Sequence, residues 1–103
     1  MKRQPIDFAT AKAKVKIQDV LALASFSPNF RRDAQVRGPC PVHESKSLKS
    51  KSFSANLERN IYQCFTCGSK GDQLKLYAEM TGLPIYEATA QLCEKLGLEV
   101  PRK

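Results

Sequence analysis

The chain has 103 residues, 42% hydrophobic and 26% charged, which is enough for one domain and too little core for two. Its formal net charge of +7 is unevenly placed: residues 1–51 carry eleven Lys/Arg against four Asp/Glu, and residues 52–103 carry six of each. A basic half of this kind points to a polyanionic partner, or else to a solvated surface that keeps a small protein soluble.

No segment approaches the length of a membrane span, and Met1-Lys2-Arg3-Gln4-Pro5 is not followed by an apolar stretch like that of a secretion signal. The expectation is a cytoplasmic protein without membrane contact, whose cysteines stay reduced.

From Asp7 to Ala24 the chain favours helix, inside a helical segment placed at 6–24. Ala9, Ala11 and Ala13 are good helix formers, and Ile17, Val20, Leu21 and Ala24 share one face. Ser27-Pro28-Asn29 marks a turn. Arg31 to Val36 reads as a short strand leading into Gly38-Pro39.

Cys40-Pro41-Val42-His43 comes next, and Cys64-Phe65-Thr66-Cys67 follows twenty residues on. Each is a pair of metal ligands three positions apart, a spacing that aims two side chains at one ion from a single turn. Together they form a Cys₃His set, which suits tetrahedral zinc. Between the pairs, Ser52 to Leu57 alternates polar with apolar, Glu58-Arg59-Asn60 reads as a turn, and Ile61-Tyr62-Gln63 as the return strand. The expected fold is α+β: a small zinc ribbon over about 36–68, flanked by the helical start and by a helical part over 72–97, as one domain spanning 1–103.

Gly68-Ser69-Lys70-Gly71 reads as a flexible exit from the second pair. Asp72 caps a predicted helix over Gln73–Thr81, which Gly82 ends. Pro84 opens a last helix to Leu96, with Gly97 as its stop and Ile85, Ala88, Leu92 and Leu96 as its apolar stripe.

Cys93 competes for the fourth metal position, but it lies on that stripe with no ligand at short spacing and reads as a core residue. Two disulfides, or redox use of Cys64 and Cys67 in the thioredoxin manner, lack the supporting compartment and βαβ context. His43 as a catalytic base competes with His43 as a ligand, and the facing CxxC favours the ligand. The Lys/Ser stretch 44–51 is either a surface loop or a phosphate contact beside Phe53, Tyr62 and Phe65. Of these aromatics Phe53 and Phe65 are assigned to the core, and Tyr62, with its polar tip, to the surface. Arg31, Arg32, Arg37, Arg59 and Lys70 are the other basic residues near the cysteines.

Gly38 to His43, Ser52-Phe53, and Tyr62 to Gly68 resemble the amino-terminal Cys-His-Cys-Cys zinc-binding domain of bacterial, DnaG-type DNA primases. The likeness runs on through Gly71-Asp72, Glu87-Ala88 and the ending Leu96 to Pro101. The family follows its histidine with an acidic residue, a lysine and Thr-Pro-Ser-Phe, where this chain has a longer Lys/Ser stretch. Lys46 matches the family lysine.

The resemblance implies one structural zinc ion on Cys40, His43, Cys64 and Cys67, with Lys46, Arg59, Tyr62 and Lys70 as candidates for contact with single-stranded template DNA. It also implies a non-catalytic module that acts in primer synthesis with a polymerase domain or helicase supplied by another chain. No Asp/Glu cluster suited to catalytic magnesium stands in these 103 residues. A separately encoded accessory, a mobile-element remnant and an excised domain all fit this reading. The alternative is a zinc-ribbon adapter that docks a polymerase or helicase through Leu74, Tyr77 and the last helix, with little affinity for nucleic acid.

Overall fold

The computed structural model describes residues 4–42 and 51–103. The helical start is broken into two short helices, α1 (Phe8–Lys14) and α2 (Ile17–Leu23), by extended backbone at Val15 and Lys16. In an unbroken helix, positions two apart face different ways. The break lets Val15 and Ile17 both reach the core, each fully buried.

The backbone groups released by the break find partners. Ile17 N–H donates to Asn60 Oδ1 at 2.9 Å, and Lys16 N–H donates to Asp19 Oδ2 at 3.1 Å. The buried Gln73 amide donates to the carbonyls of Lys12 and Val15 at 2.9 and 2.8 Å. One side chain thereby caps the carboxyl end of α1.

The single strand expected over 31–36 is a hairpin of β1 (Phe30–Arg32) and β2 (Gln35–Gly38). Asp33 turns the chain with φ +53°, a left-handed conformation that Asp tolerates better than most residues. β3 (Phe53–Asn56) and β4 (Ile61–Cys64) form the expected second hairpin. Asn56 Oδ1 shapes its turn, accepting from the Glu58 and Arg59 amides at 3.0 and 2.8 Å. The exit segment is a fifth strand rather than a loop: β5 (Lys70–Asp72) pairs antiparallel with Ile61–Gln63. The five strands lie in chain order, each antiparallel to the next.

α3 (Gln73–Thr81) and α4 (Ile85–Lys95) follow the sequence reading closely. Asp72 accepts from the Lys75 amide at 2.9 Å, and Gly82 ends α3 with φ +72° while donating to Ala78 O at 2.8 Å. On the stripe of α4, Ala88 and Leu92 are fully buried, whereas Ile85 at its start is 45% exposed. Leu74 and Tyr77 are 1% and 2% exposed, so the residues offered as docking anchors belong to the core.

The helices cover one face of the sheet, where Val36, Phe53, Ala55, Tyr62 and Cys64 are buried. Phe53 meets Phe26 edge-on at 5.3 Å between ring centroids and stacks with Tyr62 at 5.7 Å. Gly38 lets the chain pass close to this cluster, since a Cβ there would stand 3.0 Å from the Phe26 ring and the ring would have to give way. The two ends of the chain close beside α4, with Asp7 N–H donating to Pro101 O at 3.0 Å and Ile6 bridged to Arg102. Among the described residues no helix is long and apolar enough to cross a membrane.

Candidate metal centre and open sheet face

Cys64 is the last residue of β4, Cys40 lies two residues past the end of β2, and Cys67 sits in the turn after β4. In that turn Gly68 N–H donates to Cys64 O at 3.0 Å, Cys67 N–H approaches Cys64 Sγ at 3.4 Å, and Gly68 takes φ +78°. The three Sγ atoms lie within 4.8 Å of one another. Tetrahedral zinc with Zn–S bonds of about 2.3 Å separates its sulfurs by about 3.8 Å, so the cluster fits zinc with little adjustment.

No disulfide joins any of the four cysteines. Burial drives the Cys64 thiol pKa up, but the amides of Cys67 and Thr66, with hydrogen bonds from the Cys67 and Cys40 side chains, outweigh it and leave the pKa below the ordinary 9.0. Thiolate character is what a metal ligand needs. Cys93 behaves oppositely. It is 1% exposed on the inner side of α4, outside the sulfur cluster, and burial pushes its pKa up despite the Lys14 charge. His43 and Lys46 lie outside the described residues.

Among the described residues, no helix covers the opposite face of the sheet. Directly paired residues place Phe30, Arg37, Ser54, Gln63 and Lys70 in one row across all five strands. Phe65, just past β4, is 62% exposed, and the Arg37 guanidinium lies over its ring at 5.4 Å. Phe30 is 41% exposed, with Lys51 Nζ 5.5 Å from its ring centroid. The same Lys51 accepts from Arg37 Nη2 through its carbonyl at 2.8 Å, which draws both cations and both rings together.

The assignments of Tyr62 and Phe65 are therefore reversed. Tyr62 is 4% exposed and its hydroxyl shares a 2.7 Å hydrogen bond with Ser69 Oγ. Burial drives its phenol up to about 12 against that bond, with the negative groups of Glu79, Cys40 and Cys67 adding to the rise. The signal was present in the sequence: residues two apart on a strand share a face, so Tyr62 must follow Cys64 inward while Gln63 points out. Arg59 is exposed at the β3–β4 turn and Lys70 is exposed on β5.

A family model for the CHC2 zinc finger matches residues 3–103. The chain belongs to the CHC2 zinc finger family. The resemblance to the zinc-binding domain of bacterial primases is borne out, as is the α+β ribbon. This CHC2 domain is 31% identical over 87 residues to the DNA primase of Thermotoga maritima, covering 84% of this chain and 15% of that protein. It is 35% identical over 90 residues to the DNA primase of Neisseria meningitidis serogroup A, covering 87% of this chain and 14% of that one. The chain thus spans about one seventh of the length of these relatives. Its fold matches a crystal structure of the zinc-binding and RNA polymerase domains of Aquifex aeolicus primase, with a TM-score of 0.72 at 23% identity. That match covers 93% of this chain and 23% of the other.

Proposed function

We propose that this CHC2 domain is a zinc-stabilised module that engages single-stranded template DNA in primer synthesis, with the polymerase chemistry supplied by a separate catalytic domain. One zinc ion would be held by Cys40, His43, Cys64 and Cys67. Bound there, zinc supplies no reaction; it ties the β2 end and the β4 turn to one point and so fixes the sheet.

The observation that carries the reading is the open sheet face. Phe30 and Phe65 offer rings to unstacked bases, and Arg37, Lys51 and Lys70 stand within the same surface to meet phosphates. Arg59, exposed at the β3–β4 turn, extends the basic surface as a candidate, Lys46 is a candidate on the family resemblance alone, and Phe65 takes the place given to Tyr62. A helicase or polymerase domain is the proposed protein partner, and the cytoplasm the proposed compartment.

Metal analysis and a single-strand titration on one preparation test this. One zinc per chain is expected, with log K falling against log salt at a slope of about −2 to −3, as three or four phosphate contacts give. Salt-independent binding would refute the nucleic-acid reading. A well-folded, reduced protein without zinc would refute the metal.

A further inference from the structure

The β1 edge of the sheet carries a second surface, on the side of the helices. β1 is the terminal strand of the sheet, and among the described residues no strand pairs with its outer side. Alternate residues of such a strand hold their backbone N–H and C=O groups outward, where another extended chain can reach them. Beside it lies a cleft of about 210 Å³. The helix α2 contributes Gln18, Leu21 and Ala22 to its lining, the first hairpin contributes Arg31 and Val36, and Leu57 joins them from the end of β3.

Arg31 is out of character for its position. Its register with Val36, Ala55 and Tyr62 puts it on the covered face of the sheet, in a row of buried residues. It is nevertheless exposed. Among the described residues its guanidinium makes only a long 3.4 Å contact, from Nε to the Asp33 carbonyl. The phosphate contacts assigned above to Arg37, Lys51 and Lys70 lie on the other side of the sheet and leave Arg31 unused.

We propose that the groove between β1 and α2 takes an extended acidic peptide from a partner protein. The peptide adds a strand to β1, seats one apolar side chain in the cleft and pairs a carboxylate with Arg31. Strand addition draws affinity from main-chain hydrogen bonds and selectivity from side chains that point alternately into the groove and away. Leu21 and Val36, 5% and 3% exposed, give the cleft an apolar floor. The uncommitted fork of Arg31 matches a carboxylate in two-point geometry. Arg32, next along the strand and exposed, faces the opposite way and meets the following acidic residue.

Charge selects this occupant over two others. A second copy paired on the same edge would crowd Arg31 and Arg32 against their equivalents in a chain of net charge +7. A nucleic acid matches the charge but has no peptide backbone with which to extend the sheet. With only three residues in β1, few backbone bonds form, so the two side-chain contacts decide binding.

The test titrates a fluorescein-labelled octapeptide of threonine and aspartate, with one central leucine, into the zinc-loaded 103-residue chain. Saturable binding is expected. Arg31→Ser, or serine in place of the peptide's leucine, should each weaken it by about tenfold. Zinc content and circular dichroism confirm that the variant is folded. In amide NMR spectra the signals of β1, Leu21 and Ala22 should shift, while those of Gln63 and Lys70 should not. Excess octathymidylate should leave the peptide in place. A peptide that shifts Gln63 and Lys70 and is displaced by octathymidylate would be a phosphate mimic on the open face, which overturns the proposal. Absence of binding, or binding indifferent to either substitution, overturns it too. Single-strand binding, titrated separately, stands or falls without altering these outcomes.

Discussion

The guanidinium of Arg37 lies 5.4 Å from the centroid of Phe65, on the face of the sheet turned away from the helices. The ring is 62% exposed, and the cation over it is held from behind by the Lys51 carbonyl. An exposed aromatic held flat under a positioned cation is well suited to take a base on its ring and a phosphate beside it.

Phe65→Ala should therefore weaken single-strand binding by about 5- to 150-fold, the range of one base stack, with little change in melting temperature. Tyr62→Phe should do the reverse. It removes the hydroxyl bonded to Ser69 inside the domain, costing about 1 kcal/mol of stability and leaving DNA affinity unchanged. Fluorescence anisotropy with a labelled oligonucleotide, paired with thermal melts of both variants, separates the two effects. Equal affinity losses would mean that both faces of the sheet are engaged.

Two cysteine variants divide the metal centre from the core. Cys64→Ser removes one sulfur from the cluster and should release zinc and unfold the hairpins, because structural zinc contributes about 10–16 kcal/mol in zinc-finger peptides. Cys93→Ala should keep one zinc per chain and lose only about 1 kcal/mol as a small hydrophobe. His43→Ala should weaken retention of zinc against a chelator. Metal analysis of the three, with unfolding curves, distinguishes a Cys₃His site from one completed by Cys93. Loss of zinc from Cys93→Ala would contradict the ligand set.

The parts of the fold that were legible in the sequence are those with local signals. Asp72, Gly82 and Gly97 bound the last two helices through caps that act within a few residues, and the paired cysteines announce their own turns. The parts that were hidden depend on tertiary partners. Asp33 turns the first hairpin without the glycine that usually marks such a turn. β5 forms through a Gly-containing segment of poor strand propensity because β4 offers it an edge. The break at Val15 is stabilised from far along the chain by Asn60 and Gln73. Tyr62 and Phe65 were misassigned on polarity, where strand parity with Cys64 decides.

Gln73 tests the second of those distant supports. Its side chain is 3% exposed and caps two carbonyls at the end of α1. Gln73→Leu keeps the bulk but leaves both acceptors buried, at about 1–3 kcal/mol for each unsatisfied group. A fall in melting temperature of roughly 8 °C or more is expected, since about 1 kcal/mol shifts a domain of this size by 4–8 °C. Hydrogen exchange should show α1 opening before α3 and α4. An unchanged melt would mean that water replaces the amide without cost.

Asp72 joins the amino-terminal helices to α3 and makes stability depend on acid. It caps α3 through the Lys75 amide and pairs with Lys12 Nζ at 3.0 Å. Burial pushes its carboxyl pKa up, but the Lys75 amide, the Lys12 ammonium and the Leu74 amide together hold it below the ordinary 3.8. A carboxyl lowered on folding binds its proton more weakly in the native state than in the unfolded one. Its contribution is thus complete above the unfolded value and is lost as pH falls through the folded one. Asp72→Asn preserves a good cap but does not titrate, and near neutral pH it should cost less than about 1 kcal/mol, because the Lys12 pair is half exposed. Zinc release at low pH destabilises both proteins, so the quantity to follow is the difference between their melting temperatures from pH 6 to pH 2.5. That difference should be constant down to about pH 4 and shrink below it. A gap that widens on acidification would mean that the folded carboxyl is raised instead of lowered.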